Sequence, residues 1–116
     1  MKCTETLKKN YEFQRLYSKG KSAVTSSLVV YFRKTKRSSN KIGFTVSTKL
    51  GKAVVRNRVR RRLREIYRLN EDSFERGLEI VVVARVKAVR ASYSQLEKAF
   101  ISACDKLGVL RKEGER

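Results

Sequence analysis

A helix with one apolar stripe and arginine over the rest of its surface limits the folds open to this chain. The thirteen residues from Arg56 to Arg68 include seven arginines and a single acid, Glu65. On a helical projection, four aliphatic side chains share an arc of about 80°. They are Val55, Val59, Leu63 and Ile66. We therefore predict a helix over Ala53–Leu69 that packs this stripe on a sheet and leaves its other sides to the arginines.

The arginines predict a polyanionic partner. Arg56, Arg60, Arg64 and Arg68 recur at every fourth position. Like charges at that spacing each cost a helix a few tenths of a kcal/mol. The whole chain of 116 residues carries 29 Lys and Arg against 11 Asp and Glu, a net charge of +18, which opposes compaction. Nucleic acid is the favoured partner. An anionic membrane is the alternative, but membrane-surface helices bury bulkier residues than this narrow Val and Leu stripe.

The rest of the chain alternates between helical and strand patterns. Alternating apolar residues indicate strands over Ser27–Lys34 and Lys41–Thr48, with the polar connector TKRSSN as a hairpin loop. Leu78–Val86 is β-branched almost throughout, which is typical of a strand buried on both faces. Two further helices are predicted: Tyr11–Lys19 with Asn10 as its cap, and a last helix from Ser92 or Ser94 to Leu107, before Gly108.

This order, α-β-β-α-β-α with an extra short strand near Ala23, predicts a small α+β or α/β two-layer sandwich with a mixed sheet and about three helices. We expect one nucleic-acid-binding domain over residues 1–116, with an ordered core over about 7–107. The arginine helix would connect Lys41–Thr48 to Leu78–Val86. If those strands are parallel, general statistics predict a right-handed crossover.

The cysteines and the apolar pattern indicate the compartment. Cys3 and Cys104 lack the spacing of a zinc site or a short disulfide loop, so we expect reduced thiols, with Cys104 at an apolar position of the last helix. No apolar run approaches 18 residues, and the N-terminus lacks the hydrophobic core of a signal peptide. The prediction is a cytoplasmic protein.

The turn before the arginine helix is a candidate anion site. Gly51 permits an unusual backbone conformation where the unpaired N–H groups of a helix N-terminus favour negative charge. Lys49 and Lys52 would add positive charge there. A glycine before a helix is more often only a turn, so this pattern gains weight from the arginines that follow it.

A group of aromatic residues is a second candidate. Phe13 and Tyr17 lie four residues apart on the first helix, and Tyr31 points away from the apolar face of its strand. With Lys21 and Arg33 at their edge, these rings would form a stacking surface for single-stranded bases. The alternative is that the rings fill a core.

The chain offers no catalytic apparatus of its own. It contains no histidine, the commonest general base and metal ligand. Glu71, Asp72 and Glu75 cluster after the arginine helix without resembling a two-metal carboxylate set. Glu65 is expected to pair with Arg61. We predict neither catalytic nor metal-ligating residues, and hence a binding protein.

A longer motif resembles a known family. The run IGFTVSTKLGKAVVRNRVRRRLREIYR is similar to the signature of the protein subunit of bacterial ribonuclease P, in which RNR lies in a basic helix. The upstream LKKNYEFQRLYSKGKS and the strands SLVVYF and LEIVVVAR resemble the same family, so the likeness extends over roughly Leu7 to Leu107. RNR alone is a weak motif, whereas RNR with these flanks is specific. Thr48 stands where the family often has a second lysine.

The resemblance implies an α/β sandwich related to a domain of ribosomal proteins and translation factors. It also implies a left-handed crossover at the basic helix, against the general rule. The implied partners are a catalytic RNA and the 5′ leader of precursor tRNA, which that RNA removes by hydrolysis with Mg²⁺. The Mg²⁺ would be held mainly by the RNA and the substrate. Neither a membrane nor an obligate protein partner is expected.

The resemblance also assigns residues by position. Matching the RNR helix and the turn before it, as contacts of the catalytic RNA, are Lys49, Lys52, Arg56, Asn57, Arg58, Arg60, Arg61 and Arg64. Matching a leader-binding cleft between the first helix and the sheet are Phe13, Tyr17 and Tyr31, with Arg33 beside them. A ribosomal-type RNA-binding protein or an RNA chaperone without a leader site is the alternative. A DNA-binding regulator is more distant, because helix-turn-helix spacing is missing.

Overall fold

The structure is a computed structural model that describes residues 4–110, and it is built around a five-stranded mixed sheet. The strands are β1 (Thr4–Thr6), β2 (Lys21–Val24), β3 (Leu28–Lys34), β4 (Asn40–Thr45) and β5 (Leu78–Ala84). The helices are α1 (Asn10–Lys19), α2 (Ala53–Asn70) and α3 (Tyr93–Leu107). The strand order across the sheet is β1-β4-β5-β3-β2. The predicted mixed sheet with three helices is confirmed.

Strand β5 lies at the centre of the sheet, antiparallel to β3 and parallel to β4. The predicted hairpin between β3 and β4 is wrong, because β5 lies between those two strands. A strand that is apolar on both faces belongs at the centre, where both faces can be covered. The connection from β4 through α2 to β5 joins parallel neighbours, as a crossover requires. Its left-handed sense stays a prediction.

The two edge strands of the sheet are short. The extra strand predicted near Ala23 is β2, which pairs antiparallel with β3. Strand β1 was not predicted from the sequence, and it pairs in parallel with β4. Its three residues are too few to show a periodic pattern.

The pleat of β5 divides the apolar core into two parts, because alternate residues of a strand point to opposite faces. Ile80 and Val82 belong to the larger cluster, in which buried residues of α2 and α3 cover one face of the sheet. Val81 belongs to a smaller cluster on the other face, with Leu16 of α1 and Leu7. Helix α1 is therefore a partial layer on the face opposite α2 and α3.

Helix α2 packs on the sheet through the predicted stripe. Buried residues of that stripe are Val59, Leu63 and Ile66. Tyr67 is also fully buried, which the stripe did not predict. Its ring packs on Phe74 at 5.1 Å between centroids, and its hydroxyl lies 2.8 Å from Oγ1 of Thr4 in β1. Burial raises the pKa of this hydroxyl. Tyr67 thereby ties α2 to the edge of the sheet.

Helix α3 starts at the first of its two predicted capping boxes. The Gln95 amide N–H donates to Ser92 Oγ at 3.1 Å, and the Ser92 amide N–H donates to Gln95 Oε1 at 2.9 Å. Gly108 ends the helix in the left-handed conformation, with φ of 72°. Cys104 is buried in the core as predicted, and burial raises the pKa of its thiol. Cys3 lies outside the described residues.

None of the helices within residues 4–110 combines the length and the apolar character that a bilayer-spanning segment needs.

The unequal cover of the two sheet faces gives a stability prediction. Val82 is fully buried under α2 and α3, whereas Val83 lies half-exposed on the face of α1. We expect Val82→Ala to lower the free energy of unfolding by about 2 kcal/mol, since it removes two methyl groups from a packed core. Val83→Ala removes the same groups and should cost less than about 1 kcal/mol. Urea titrations of both variants in the same buffer measure the two free energies of unfolding. Equal losses of stability would contradict the assignment of Val82 and Val83 to opposite faces.

Candidate RNA-binding surfaces

Helix α2 turns basic side chains away from the sheet. Its exposed polar residues include Asn57, Arg58, Arg61, Arg64 and Arg68, while Arg56, Arg60 and Arg62 are half-buried. Within residues 4–110, the side chains of Arg58, Arg61 and Arg64 have no hydrogen bond or ion pair to another protein group. A guanidinium group has five N–H donors and no acceptor. The outer face of α2 therefore presents unused donors and uncompensated charge to solvent.

The one acid of α2 does not neutralise this face. Glu65 pairs with Arg68, with Nη2 of the arginine 2.5 Å from Oε1 and Nε 3.2 Å from Oε2. The predicted pair between Glu65 and Arg61 is wrong, because Arg68 reaches the carboxylate with two parallel donors. Hydrogen bonding from Arg68 holds the pKa of Glu65 below its ordinary value. The pair compensates the C-terminal end of α2 and leaves the first three turns positive.

Three other arginines of α2 are held by neutral oxygen atoms. Arg56 Nε donates to the Gly51 carbonyl at 3.2 Å, Arg60 Nη1 to Asn57 Oδ1 at 3.1 Å, and Arg62 Nη1 to the Ala91 carbonyl at 3.3 Å. These hydrogen bonds fix the direction of each side chain without cancelling its charge.

The turn before α2 gathers positive charge at the helix N-terminus. Gly51 has φ of 137°, which confirms the predicted unusual backbone. Lys49 and Lys52 are exposed, and the hydrogen bond from Arg56 to Gly51 places a guanidinium beside them. No side chain caps the first amide groups of α2. The positive end of the helix dipole adds to the charge of this turn.

The predicted aromatic residues come together between α1 and the sheet. The rings of Tyr17 and Tyr31 meet edge to face, 5.1 Å between centroids, and the Tyr17 hydroxyl lies 2.8 Å from Thr45 Oγ1. Phe13 rests on Gly43, where an added Cβ would lie 2.7 Å from the ring. All three aromatic rings are half-buried. Each ring thus packs against the smaller core and also keeps an accessible part.

Beyond the tyrosines, the sheet surface is open. The register aligns Val24, Val29, Val83 and Thr45 in one row across β2, β3, β5 and β4. Val24 is 58% exposed, and the other three residues are half-buried. We call this row, with Tyr17 and Tyr31 beside it, the trough. Sequence reasoning missed the row, because its members align only through the pairing with β5.

Arg33 lies on the same face of β3 as Tyr31 and is tied to a buried acid. Its Nε donates to Glu79 Oε1 at 3.2 Å, and Arg15 Nη2 of α1 lies 3.4 Å from Glu79 Oε2. Glu79 is 3% exposed and lies directly across from Arg33 in the sheet. Two guanidinium groups around one carboxylate leave a net positive charge at this end of the α1 face. Glu79 was not predicted from the sequence. Its position as a charged residue within an otherwise apolar strand could have indicated it.

An ion pair fixes the start of α1 over the sheet. The Glu12 carboxylate is buried and accepts from Lys41 Nζ at 2.9 Å and from the amide of Lys9 at 3.1 Å. Glu12 thus satisfies an amide at the helix N-terminus, and Lys9 takes the cap position that was predicted for Asn10. The hydrogen bond from Lys41 is the main reason that the pKa of Glu12 lies below its ordinary value.

The trough and the α2 surface meet at one end of the sheet. Thr45 closes the trough and is the last residue of β4. The turn 46–52, with Lys49 and Lys52, leads directly from there into α2. The two candidate surfaces lie on opposite faces of the sheet, and this basic turn connects them.

The described residues do not offer a metal site. Within residues 4–110 there is no group of three or more His, Cys, Asp or Glu that could hold an ion. Mg²⁺ prefers several oxygen ligands in near-octahedral geometry. The carboxylates of the described residues do not fit that requirement, and we assign no step to a metal held by them.

Comparison with known proteins identifies the family. A family model described as Ribonuclease P matches residues 1–108. The chain belongs to this family. Ribonuclease P protein components are parts of a tRNA-processing endoribonuclease ribonucleoprotein whose catalysis is carried by RNA. Family membership thus implies an RNA subunit as partner.

Relatives in sequence and structure agree with this family. The ribonuclease P protein component of Alkaliphilus oremlandii is 40% identical over 95% of this chain and 96% of its own length. The RNase P protein of Staphylococcus aureus superposes with a TM-score of 0.84 at 32% identity, over 91% of this chain and 97% of that one. The RNase P protein of Thermotoga maritima gives a TM-score of 0.77 at 31% identity, over 84% and 93% of the two chains.

The buried carboxylate under α1 predicts a pH-dependent stability. Glu12→Gln should lower the free energy of unfolding by about 1.5–3 kcal/mol at pH 7, because it removes a charge-assisted bond and leaves Lys41 unpaired. The folded pKa of Glu12 lies below its ordinary value of 4.5. The ionised carboxylate therefore stabilises the fold above that pH, and its contribution is lost as the pH falls through the folded pKa. Urea titrations from pH 7 to about pH 3 should show the gap between variant and parent closing. A constant gap would contradict this role.

Proposed function

We propose that this protein binds the catalytic RNA of ribonuclease P through α2 and the turn before it, and the 5′ leader of precursor tRNA through the trough. The single observation that carries the proposal is the presence of two separate RNA-compatible surfaces. One is a helix face with unpaired guanidinium groups, and the other is an open sheet surface with half-exposed aromatic rings. The protein assists removal of the leader, while the RNA performs the hydrolysis.

The α2 surface is suited to a folded RNA. Planar guanidinium groups bind phosphate oxygens with two donors, and they stack on bases. Arg58, Arg61 and Arg64 are exposed on a rigid helix that is anchored by its buried stripe, so their positions are set before RNA binds. Lys49, Lys52, Arg56, Asn57 and Arg60 complete the proposed contact surface.

The trough is suited to a single strand of variable sequence. Leader sequences differ between tRNA precursors, so a useful site reads base faces and backbone charge and not the edges of particular bases. Tyr17 and Tyr31 supply ring surface, Phe13 supports it from α1, and Arg33 supplies charge on the same face. The trough ends at Thr45, beside the turn that leads to α2. A leader in the trough would therefore approach the catalytic RNA at that end.

Mg²⁺ enters this function through the RNA. We assign the ions to the catalytic RNA and the substrate, because the described residues lack a carboxylate cluster for them. Positive charge along α2 and the trough would strengthen RNA binding and lower the Mg²⁺ concentration that cleavage needs. The compartment that tRNA processing implies is the cytoplasm.

An alternative function, a general RNA chaperone, is distinguished by reconstitution. The protein is mixed with a bacterial ribonuclease P RNA and precursor tRNA at low Mg²⁺, and cleavage at the mature 5′ end is followed. We expect cleavage to be restored, with the precursor bound more tightly than mature tRNA. A chaperone would assist RNA folding without changing that preference. Absence of both effects would contradict the proposal.

A matched pair of α2 arginines tests the RNA-binding face. Arg64 and Arg68 lie one turn apart, but only Arg68 is paired with an acid. Arg64→Ala should weaken binding of the catalytic RNA and make the slope of log K against log salt shallower by about 0.7–0.9, the value for one phosphate contact. Arg68→Ala should change that slope less. Filter binding over a salt series measures both slopes, and equal changes would contradict the role of the unpaired face.

Tyr31 tests the trough. Base stacking on an aromatic ring is worth about 1–3 kcal/mol, so Tyr31→Ala should weaken binding of precursor tRNA by roughly 5- to 150-fold. Mature tRNA, which lacks the leader, should bind with unchanged affinity. Tyr31→Phe keeps the ring and serves as the control. An equal loss for precursor and mature tRNA with Tyr31→Ala would contradict leader binding.

A further inference from the structure

A small basic cavity lies beyond Arg33, where the end of α1 meets the outer strand β2. It has a volume of about 290 Å³ and is lined by Lys19, Lys21, Phe32, Arg33 and Lys34. We call it the edge notch. Lys19 and Lys34 have no RNA contact assigned above, Lys21 was predicted only at the edge of the aromatic group, and none of the three comes from α2. Its lining contains four cations and no acid.

Close packing of α1 on β3 builds the edge notch. Gly20 follows the last turn of α1, and a Cβ at this position would lie 2.6 Å from the Leu16 carbonyl oxygen and 2.9 Å from that of Phe32. Only glycine lets the chain pass so close to β3 before it turns into β2. This turn brings Lys19 of α1 next to Lys21, which lies directly across from Phe32 in the sheet. Lys34 follows Arg33 at the end of β3.

The lysines of the edge notch are exposed and uncompensated. Across residues 4–110, Lys19, Lys21 and Lys34 form no ion pair or side-chain hydrogen bond. Arg33 is bound to Glu79, but that carboxylate also receives Arg15. The partial negative charge at the C-terminal end of α1 is small beside these ammonium groups. The edge notch therefore concentrates positive charge with no acid within it, as an anion site requires.

We propose that the edge notch binds the phosphodiester backbone of the leader, upstream of the nucleotides that occupy the trough. This inference rests on the proposed leader-binding function. Arg33 belongs to the edge notch and lies on the same face of β3 as Tyr31 and Val29, and Lys19 ends α1 on that face. Lys21 and Lys34 alternate to the other face, which they share with Phe32, so the edge notch wraps around the end of the sheet. A strand that leaves the trough beside Arg33 would meet these two lysines as it passes over that end. Ammonium groups are point charges without the geometry to read base edges, and the contact is therefore independent of sequence.

The geometry makes this contact depend on leader length. Val29 marks the trough row and Arg33 the edge notch, and four residues of β-strand separate them by about 13 Å. A leader that enters beside Thr45 must cross the trough before its backbone reaches the lysines. Short leaders would fill the trough alone, whereas longer leaders would also occupy the edge notch.

The test combines a double variant with a series of leaders. Lys21→Ala with Lys34→Ala removes two charges from the edge notch, and Lys98→Ala with Lys106→Ala removes two exposed charges from α3 as the matched control. Each protein is assembled with the catalytic RNA. Binding of precursor tRNAs with increasing leader length, and of mature tRNA, is measured over a salt series. Urea titrations check that both double variants fold. We expect them to fold, because each variant removes like charges from the surface and so reduces repulsion.

We expect the notch variant to bind short-leader precursors and mature tRNA as the parent does. For long leaders, the slope of log K against log salt should become shallower by about 0.7 for each lost phosphate contact. The control variant should match the parent for every leader. An equal loss for short and long leaders, a loss of affinity for the catalytic RNA itself, or no change at any length would overturn the proposal. Under each of those outcomes, Tyr31→Ala still reports on the trough, so failure of the edge notch is distinguishable from failure of leader binding.

Discussion

The burial of β5 on both faces is the constraint on which the rest of the structure depends. A strand that is apolar on both sides needs cover on each face of the sheet. Helices α2 and α3 cover one face completely enough to leave Val82 without exposure, and α1 covers part of the other. The incomplete cover by α1 is what leaves a trough, and the complete cover by α2 is what gives its arginines a rigid base.

The two faces of the sheet differ in how their charged residues are paired. Two acids of the α1 side are buried and hold basic partners in place, Glu12 with Lys41 and Glu79 with Arg15 and Arg33. On α2, by contrast, the only carboxylate pairs with the last arginine of the helix. The resulting excess of charge is unfavourable for the isolated chain and favourable once phosphate groups approach. This division fits a protein whose working state is a complex with RNA.

The sequence predicts the individual helices and strands of this protein better than it predicts which strands pair in the sheet. The stripe of α2, the two-sided burial of β5 and the capping box at Ser92 are local patterns, and the structure confirms each of them. The hairpin between β3 and β4 was wrong, because strand order depends on which strand needs cover on both faces and not on which strand comes next. The same limit applies to the site. Tyr17 and Tyr31 could be named from spacing, whereas the row from Val24 to Thr45 exists only through pairing with β5.

The central claim is that one small protein holds two different RNAs on opposite faces of its sheet. Site-directed photocrosslinking tests this claim most directly. A photoreactive side chain is placed either at Arg61 on the outer face of α2 or at Ser22, which is exposed and lies across from Tyr31. In the complex with catalytic RNA and a leader-bearing precursor tRNA, the account predicts that position 61 crosslinks to the catalytic RNA and position 22 to the leader. Crosslinks from both positions to the same RNA would contradict it.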